Sequence, residues 1–591
     1  MRLSRIVGLL AVVVAVCSLS VRAATPGLPA TLTIPSGPVV AKIHYQTEEQ
    51  LRELASRLDI WEVNHPESFV VARLSPVKLA LLTSEGFALE IDTAKTALLY
   101  EVREPLPGQV DAIPGYPCYR TVEETYATYD TLVAAYPNLI TKLDIGDSWD
   151  KITPGGPTGY DIWALIITNS AIPGPKPRFF LVAEIHAREY TTAETATRFA
   201  EYLLESYGTD PDVTWLLDWC EIHIVPMANP DGRKFAEGGD LWRKNTDNDD
   251  GCSIPGEYGT DLNRNHTFKW NQGGSSGDPC DETYRGPAAG SEPEVQVIQA
   301  YVTSIFPDQR GPGDSDAAPA TTTGALITLH SYSNLVLWPW GFTSSPAPNG
   351  TALQTLGRKL AFFNNYTPQQ SVALYPTTGS TDDWAYGELG IASYTFEMGS
   401  QFFESCSQFT NTIWPANRNA LLYAFKASRR PYQTPAGPEA INLQVSPAGV
   451  MPGAVVMLSA TVDDTRYRAG SGEPTQAIAE ARWTVDTPSF VSGTTTYPMT
   501  PTDGAFNSPS EGVQATVDTT GWSAGRHLLF VEGRDAAGNW GVPTAAFVCV
   551  SAAASAVEVS PSADAKSGDP GTSVTYHLTV TNLGASTETF A

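Results

Sequence analysis

The sequence predicts an α/β domain with a mixed, mostly parallel sheet and helices on both faces. A small α/β unit precedes it and β-sandwich structure follows. Three observations predict this. Between about Arg120 and Arg430, short apolar runs alternate with helix-length amphipathic segments. Upstream, period-2 strands alternate with two helical patterns. Beyond Pro435 the composition turns to Val, Thr, Ser and Gly, with turn signals at sandwich spacing.

At 591 residues the chain is too long for one core. Arg2 and Arg5 precede the apolar run Ile6–Val16, and Val21-Arg22-Ala23 offers small residues around a cleavage point. Residues 1–23 therefore read as a secretory signal, too short for a stable membrane anchor. Export to the exterior or the periplasm is expected, as a soluble monomer. The net charge of −27 argues against nucleic acid or anionic membrane as partner. Of seven Cys, Cys17 leaves with the signal. An even number then remains in an oxidising compartment without any C-x-x-C pair, which favours disulfides. Cys252 and Cys280 bracket a Gly-, Asn- and Ser-rich segment that needs a staple, so they are paired. Cys118, Cys220, Cys406 and Cys549 allow three connectivities, with Cys118–Cys220 as the working expectation.

Residues 24–110 hold the small unit and its connector. The pattern is strand Val39–Tyr45, helix Glu48–Leu58, strand Ser68–Leu74, helix Pro76–Ser84 and strand Phe87–Ile91, with Leu51, Leu54, Ala55 and Leu58 on one helix face. Asp92 to Pro117, with Lys95, Arg103 and several Pro, reads as an exposed connector open to proteolysis. The unit is then either a pro-segment removed on activation or a permanent accessory.

Residues 111–432 form the main domain. Helix Val122–Tyr136 precedes strand Ile140–Ile145, and Ile162–Ile167, Phe179–Ile185, Glu221–Pro226, Ala325–His330 and Ser393–Glu397 read as buried strands. Helices at Thr192–Glu205, Glu292–Ile305, Leu353–Phe363 and Asn417–Ala427 cover them. Catalytic groups on such a sheet belong at the carboxyl ends of strands. His186, His330 and Glu397 all lie there. Residues 438–551 read as an immunoglobulin-like β-sandwich with Trp483, Trp522 and Trp540 as candidate core aromatics. Residues 556–591 read as the start of a further, incomplete sandwich.

Most of the eight His lie in strand patterns or beside Pro and read as packing residues. The exception is Leu181-Val-Ala-Glu-Ile-His-Ala-Arg-Glu-Tyr190, a strand running into a turn that presents His186 and Glu189. A His and a Glu three residues apart can face one point, where imidazole nitrogen and carboxylate oxygen suit Zn²⁺. His330, which ends an apolar run, is the best third ligand. Asp247-Asn-Asp-Asp-Gly251 supplies oxygen donors of the kind that suit Ca²⁺, though not in the twelve-residue loop pattern. The competing reading is a solvated acidic turn.

From about Cys118 to Arg430 the chain resembles the zinc carboxypeptidases of the pancreatic carboxypeptidase A/B type, here as a secreted, bacterial-like member with C-terminal sandwich modules. Ordered blocks carry the resemblance: HAREYTTAETATRF from His186, PMANPDG from Pro226, LWRKN from Leu241, GTDLNRN from Gly259 and DPCDETYRG from Asp278. They continue with LHSYSNLVLWPWG from Leu329, YPTTGSTDDWAYG from Tyr375 and SYTFEMG from Ser393.

The resemblance implies the roles that follow. His186, Glu189 and His330 bind one Zn²⁺, which polarises the scissile carbonyl and lowers the pKa of a water to about 7. Glu397 is the general base and Arg243 meets the developing oxyanion. Asn263 and Arg264 hold the free C-terminal carboxylate, Tyr375 closes over the chain end, and Arg188 is a secondary carboxylate contact. Ser331 and Tyr332 line the substrate path beside His330. Asp382 stands where the family places the floor of the pocket for the terminal side chain, and an Asp there goes with Lys or Arg ends. Gln370 does not match the basic-specific pattern, so dual specificity stays open. The substrates implied are peptides and proteins with a free C-terminus. The alternative keeps the zinc site but makes the chain an amidase or endopeptidase of cell-wall peptides or amino-acid conjugates. The insert Asp308–Thr323 is expected to reshape the cleft rim.

Overall fold

Local signals start most of the elements. Thr121 and Glu124 form a reciprocal cap at the head of Val122–Ala135, Ser75 caps Pro76–Ser84, and Asp210 caps Pro211–Trp219. The computed structural model describes residues 37–101, 103–254, 256–551, 557–560 and 579–582. The signal assigned to residues 1–23 lies outside them, as does most of 556–591. Among the described residues no helix is long and apolar enough to cross a membrane.

The first unit runs β1 (Val39–His44), α1 (Glu48–Arg57), β2 (Ile60–Asn64), β3 (Phe69–Leu74), α2 (Pro76–Ser84), β4 (Ala88–Ile91) and α3 (Thr93–Leu98). Its antiparallel sheet has the order β2-β3-β1-β4. Two expectations change here. Ile60–Asn64 is a strand that follows α1 almost without a turn, so no punctuation marked it. The connector is not wholly exposed: α3 folds back with Thr96 Oγ1 accepting from Val40 N, and Arg103 lies over the Phe403 ring at 3.7 Å.

The large domain runs α4 (Val122–Ala135), β5 (Ile140–Asp147), α5 (Trp149–Ile152), β6 (Asp161–Ile167), β7 (Arg178–Val182), α6 (Tyr190–Ser206), α7 (Pro211–Trp219) and β8 (Glu221–Val225). It continues through α8 (Pro230–Glu237), α9 (Pro293–Ile305), β9 (Ala325–His330), β10 (Leu335–Trp338), α10 (Gly350–Asn364) and β11 (Thr367–Gln370). It ends with α11 (Thr381–Leu389), β12 (Ala392–Glu397), α12 (Cys406–Gln408) and α13 (Trp414–Ala427). The eight-stranded sheet has the order β11-β10-β12-β9-β7-β8-β6-β5. Its centre, β12-β9-β7-β8, is parallel, and antiparallel joins flank it. Every side chain of β9 is buried, which requires helices on both faces.

Two sheets follow, β13-β15-β19-β18 and β14-β21-β20-β16-β17. Their strands are β13 (Glu439–Ser446), β14 (Gly449–Val450), β15 (Val455–Asp463), β16 (Ile478–Val485), β17 (Tyr497–Pro498) and β18 (Thr500–Pro501). The set closes with β19 (Ser510–Asp518), β20 (Gly525–Asp535) and β21 (Thr544–Val550). Trp483 is in their shared core and Trp522 packs against it. Trp540 departs from expectation: it lies outside that core, stacked on Arg482 at 3.7 Å. Beyond them, β22 (Val557–Ser560) pairs antiparallel with β23 (Thr579–Asn582).

Cys252 and Cys280 are bonded, as are Cys118 and Cys406. The expected Cys118–Cys220 pair does not form. Cys220 is a free thiol buried at the end of α7, and burial pushes it up to about 12. The insert 308–323 packs behind α11 rather than on the cleft: Arg310 Nη1 donates to Gly387 O at 2.7 Å and Gln309 N to Leu389 O at 3.0 Å.

Candidate active site

The site sits where β7, β9 and β12 end. Strands β9 and β12 run parallel in a register that sets His330 directly beside Glu397. β7 lies on the other side of β9 and runs into the turn that carries His186 and Glu189. Glu189 is the residue before α6, yet its side chain does not cap the helix. Its carboxylate turns inward instead, 2.8 Å from His186 Nδ1 and 3.1 Å from His330 Nδ1, while Ser331 N donates to it at 3.1 Å.

The two Nδ1 atoms face each other at 3.1 Å, and all three residues can bring one ligand atom within 4.8 Å of the others. Both Nε2 atoms are engaged from behind. Asp261 Oδ1 is 3.1 Å from His186 Nε2, and Thr328 Oγ1 is 3.1 Å from His330 Nε2. A proton held at Nε2 leaves the Nδ1 lone pairs for a metal, and such outer contacts orient ligating imidazoles. The donor set of two imidazoles and one carboxylate, all buried, fits Zn²⁺.

Burial would raise the Glu189 carboxyl, but the two imidazoles reverse this and hold it well below its ordinary value. Glu397 goes the other way. Burial and then the Glu189 charge push it well above the carboxylate range, against the pull of Arg243 and Arg264. Arg243 is held by Asp261, whose Oδ2 accepts from Nε at 3.1 Å and from Nη2 at 2.8 Å. Asp261 thus links Arg243 to His186. It was not singled out in the sequence, although it stands inside the GTDLNRN block; the signal was its place directly before the Leu-Asn-Arg turn.

Asn263 Oδ1 accepts from Thr381 N and Oγ1 at 2.9 and 3.1 Å, pinning it to the head of α11. Arg264 is buried, with Nε donating to Gly274 O at 3.2 Å. Asp382 lies in the first turn of α11, where the helix dipole favours a carboxylate. Its oxygens accept from Ser380 Oγ at 2.7 Å, Ser371 Oγ at 2.9 Å and Asp383 N at 2.9 Å. Asn263, Arg264 and Asp382, with Ser331, Tyr332 and Tyr375, line one cleft with His186, Glu189, Arg243 and Glu397. No lining residue comes from the insert 308–323.

The first unit reaches into this cleft. Asp59, between α1 and β2, is buried and accepts from Arg188 Nη2 at 2.6 Å and from Trp61 Nε1 at 2.6 Å, with Arg243 Nη1 at 3.6 Å. Burial would raise Asp59, and Arg188 and Arg243 overturn that and hold its carboxyl low. Glu62 accepts from Tyr332 Oη at 2.9 Å and from Lys95 Nζ at 2.6 Å. Tyr375 packs against the first unit's core, and burial raises its phenol. The cleft's free volume is about 60 Å³, room for a few waters and not for a peptide end.

Comparison with known proteins fits this geometry. Residues 125–419 match the zinc carboxypeptidase family. The chain is 31% identical over 395 residues to carboxypeptidase A2 of Rattus norvegicus, covering 62% of this chain and 87% of that protein. It is 31% identical over 381 residues to carboxypeptidase A1 of Homo sapiens, covering 61% and 84%. The solved carboxypeptidase A from Helicoverpa armigera superposes with a TM-score of 0.50 at 22% identity, covering 67% of this chain and 98% of that one, a likeness of fold.

Proposed function

Because the chain belongs to the zinc carboxypeptidase family, and is therefore a peptidase of the hydrolase class, we propose that it is an exported exopeptidase, held inactive by its first unit, that favours C-terminal Lys and Arg. His186, Glu189 and His330 would hold Zn²⁺, which supplies a Lewis acid for the scissile carbonyl and an acidified water. Glu397, made more basic by its surroundings, takes the water proton and passes it to the leaving amine. Arg243, fixed by Asp261, meets the charge that develops on the carbonyl oxygen. Arg264 and Asn263 receive the terminal carboxylate, and Tyr375 and Arg188 complete its binding once the first unit has left.

One observation carries the reading of the first unit: the Asp59 carboxylate already occupies Arg188 and Arg243. It presents to Arg188 the group that a substrate end would bring, and it holds Arg243 away from a carbonyl oxygen. Removing Asp59 would leave Arg188 buried and unpaired, a cost of about 3–5 kcal/mol to the closed state. Residues 104–108 are each exposed, and Val110 beyond them is 89% exposed, which supports release by proteolysis there. Two disulfides support an oxidising compartment.

Asp382 supports basic preference, but in graded form. Three donors already satisfy it, so an apolar end leaves it less deprived than a bare carboxylate would be. Matched dipeptides ending in Arg, Lys, Phe and Leu, given to the full and the trimmed chain with and without a chelator, test all of this. Chelator-sensitive release by the trimmed chain is expected, with Arg ahead of Phe by about ten-fold or more. Asp382→Ile should reverse that order, and amidating the substrate end should abolish cleavage. Faster release of Phe by the parent would end the basic reading. No chelator-sensitive release in any form would end the peptidase reading itself.

A further inference from the structure

Beside Thr260, the residue before Asp261, lies a second group of oxygens with no part in the chemistry above. Asp247, Asp250 and Glu292 can each bring one carboxylate oxygen within 4.8 Å of the other two. Glu292 is 1% exposed and Asp247 is 8% exposed. Among the described residues no Lys or Arg forms an ion pair with any of the three. The nearest candidate, Lys244, spends its ammonium on three carbonyls, those of Glu257, Pro279 and Asp281. Three carboxylates gathered in a buried place without a cation are costly unless protons or a metal neutralise them.

A second, independent feature points to a metal. Thr260 is wholly buried and sits beside Asp250, yet its Oγ1 reaches no hydrogen-bond partner at bonding geometry. One Asp250 oxygen, Oδ2, is likewise buried and unpartnered. The chain around them is held in place. Asn245 Nδ2 donates to Glu292 Oε2 at 2.7 Å, Asn245 Oδ1 accepts from Thr260 N at 2.7 Å, and the Cys252–Cys280 bond staples the loop. Burial pushes Glu292 up to about 7 and raises Asp247 and Asp250 too, as expected of carboxylates that lack a counter-charge.

We propose that Asp247, Asp250 and Glu292, with Thr260 Oγ1, form a second metal site that takes Ca²⁺. The donors are all oxygen, which suits a hard cation and not Zn²⁺. The site would tie the segment that carries Arg243 to the head of α9, because Asp247 is four residues beyond Arg243 and Glu292 directly precedes that helix. Thr260 adjoins Asp261, so a bound ion would also fix the residue that links Arg243 to His186. A solvated acidic turn would show neither the burial of Asp247 and Glu292 nor the unpartnered hydroxyl.

The full-length, zinc-loaded chain tests this with Tb³⁺ and Ca²⁺ as probes. Tyr284, whose phenol lies beside Asp250, can sensitise Tb³⁺ emission. Saturable emission, displaced by Ca²⁺, is expected, and Glu292→Gln or the partly exposed Asp250→Asn should reduce it by about ten-fold or more. At a hundred-fold excess over Kd, Ca²⁺ should raise the melting temperature by about 5 °C. In the other acidic group, Asp144, Asp147 and Asp161, the last two already pair with Lys151, so Asp161→Asn should leave the emission unchanged. Loss with Asp161→Asn and retention with Asp250→Asn would overturn the assignment. So would emission that never saturates, or a melting temperature that ignores Ca²⁺.

Discussion

His266 shows how one residue's surroundings decide its chemistry. It follows Asn263-Arg264-Asn265 directly in the chain. In the fold it is 1% exposed, its Nδ1 lies 3.2 Å from Leu262 O, its Nε2 has no partner, and it stands apart from the group of His186, Glu189 and His330. Burial lowers its pKa from 6.5 to about 4. Between those values the unfolded chain holds a proton that the folded chain refuses, so stability rises with pH across that window. Stability is therefore lost as pH falls from 6.5 towards about 4, and the full gap is worth about 3 kcal/mol. His266→Gln should flatten that slope. Urea melts of parent and variant at both ends of the window measure it, and equal slopes would show that His266 does not titrate there. His330 and Glu397 were legible as strand-ending residues. Asp59 and Asp261 were not, because an Asp in a loop has no periodicity to betray its partners.

At the scale of elements, the turn from β7 to α6 is the most constrained. Glu184 takes a left-handed backbone (φ +57°), which costs a non-glycine residue about 1–3 kcal/mol. It is wholly buried, and Oε1 accepts from Arg233 Nη1 of α8 at 2.7 Å while Oε2 accepts from Thr192 Oγ1 at 3.0 Å. Arg233 also lies over the Tyr190 ring at 4.4 Å. The pair thus pins both ends of the turn that presents His186 and Glu189. Arg233→Leu alone should destabilise by about 3–5 kcal/mol, since it strands a buried carboxylate. Glu184→Gly with Arg233→Leu should cost clearly less than the sum of the single changes. A denaturation cycle over the four forms measures this, and strict additivity would refute the coupling. The strand and the helix were readable from their apolar periods. The brace was not, because α8 enters from 49 positions further along the chain.

For the whole molecule, the sandwich is fused to the large domain rather than tethered to it. Leu528, Phe530, Val542 and Ala545 belong to the same core as the central sheet. Glu439 at the start of β13 accepts from Lys359 of α10 at 3.0 Å and Arg466 at 2.9 Å, and both Glu439 and Lys359 are buried. Asp212 of α7, paired with Lys426 of α13, accepts from Ala545 N of β21 at 3.0 Å across the same junction, and Trp215 of α7 packs on Phe530. Residues 111–551 should accordingly melt in one calorimetric transition. Glu439→Ala should lower stability by about 3–5 kcal/mol by leaving Lys359 buried and unpaired. Two separate transitions in the parent, or an unchanged melt in the variant, would show that the halves are independent.

The sequence by itself determined the long helices and buried strands of the two α/β units, their order, the family and the residues at the strand ends, because periodicity, turn chemistry and ordered motifs are properties of neighbours along the chain. Sequence reasoning put Cys252 with Cys280 because a short, polar segment between them needed closing. Only the tertiary structure decided the rest. It joined Cys118 to Cys406 across 288 positions, drove Asp59 onto Arg188 and Arg243, and set Asp261 between Arg243 and His186. It also gathered Asp247, Asp250 and Glu292 into one place. Each of these is a meeting of charges or thiols brought together by packing of distant segments. No spacing along the chain encodes which buried charge will find which partner.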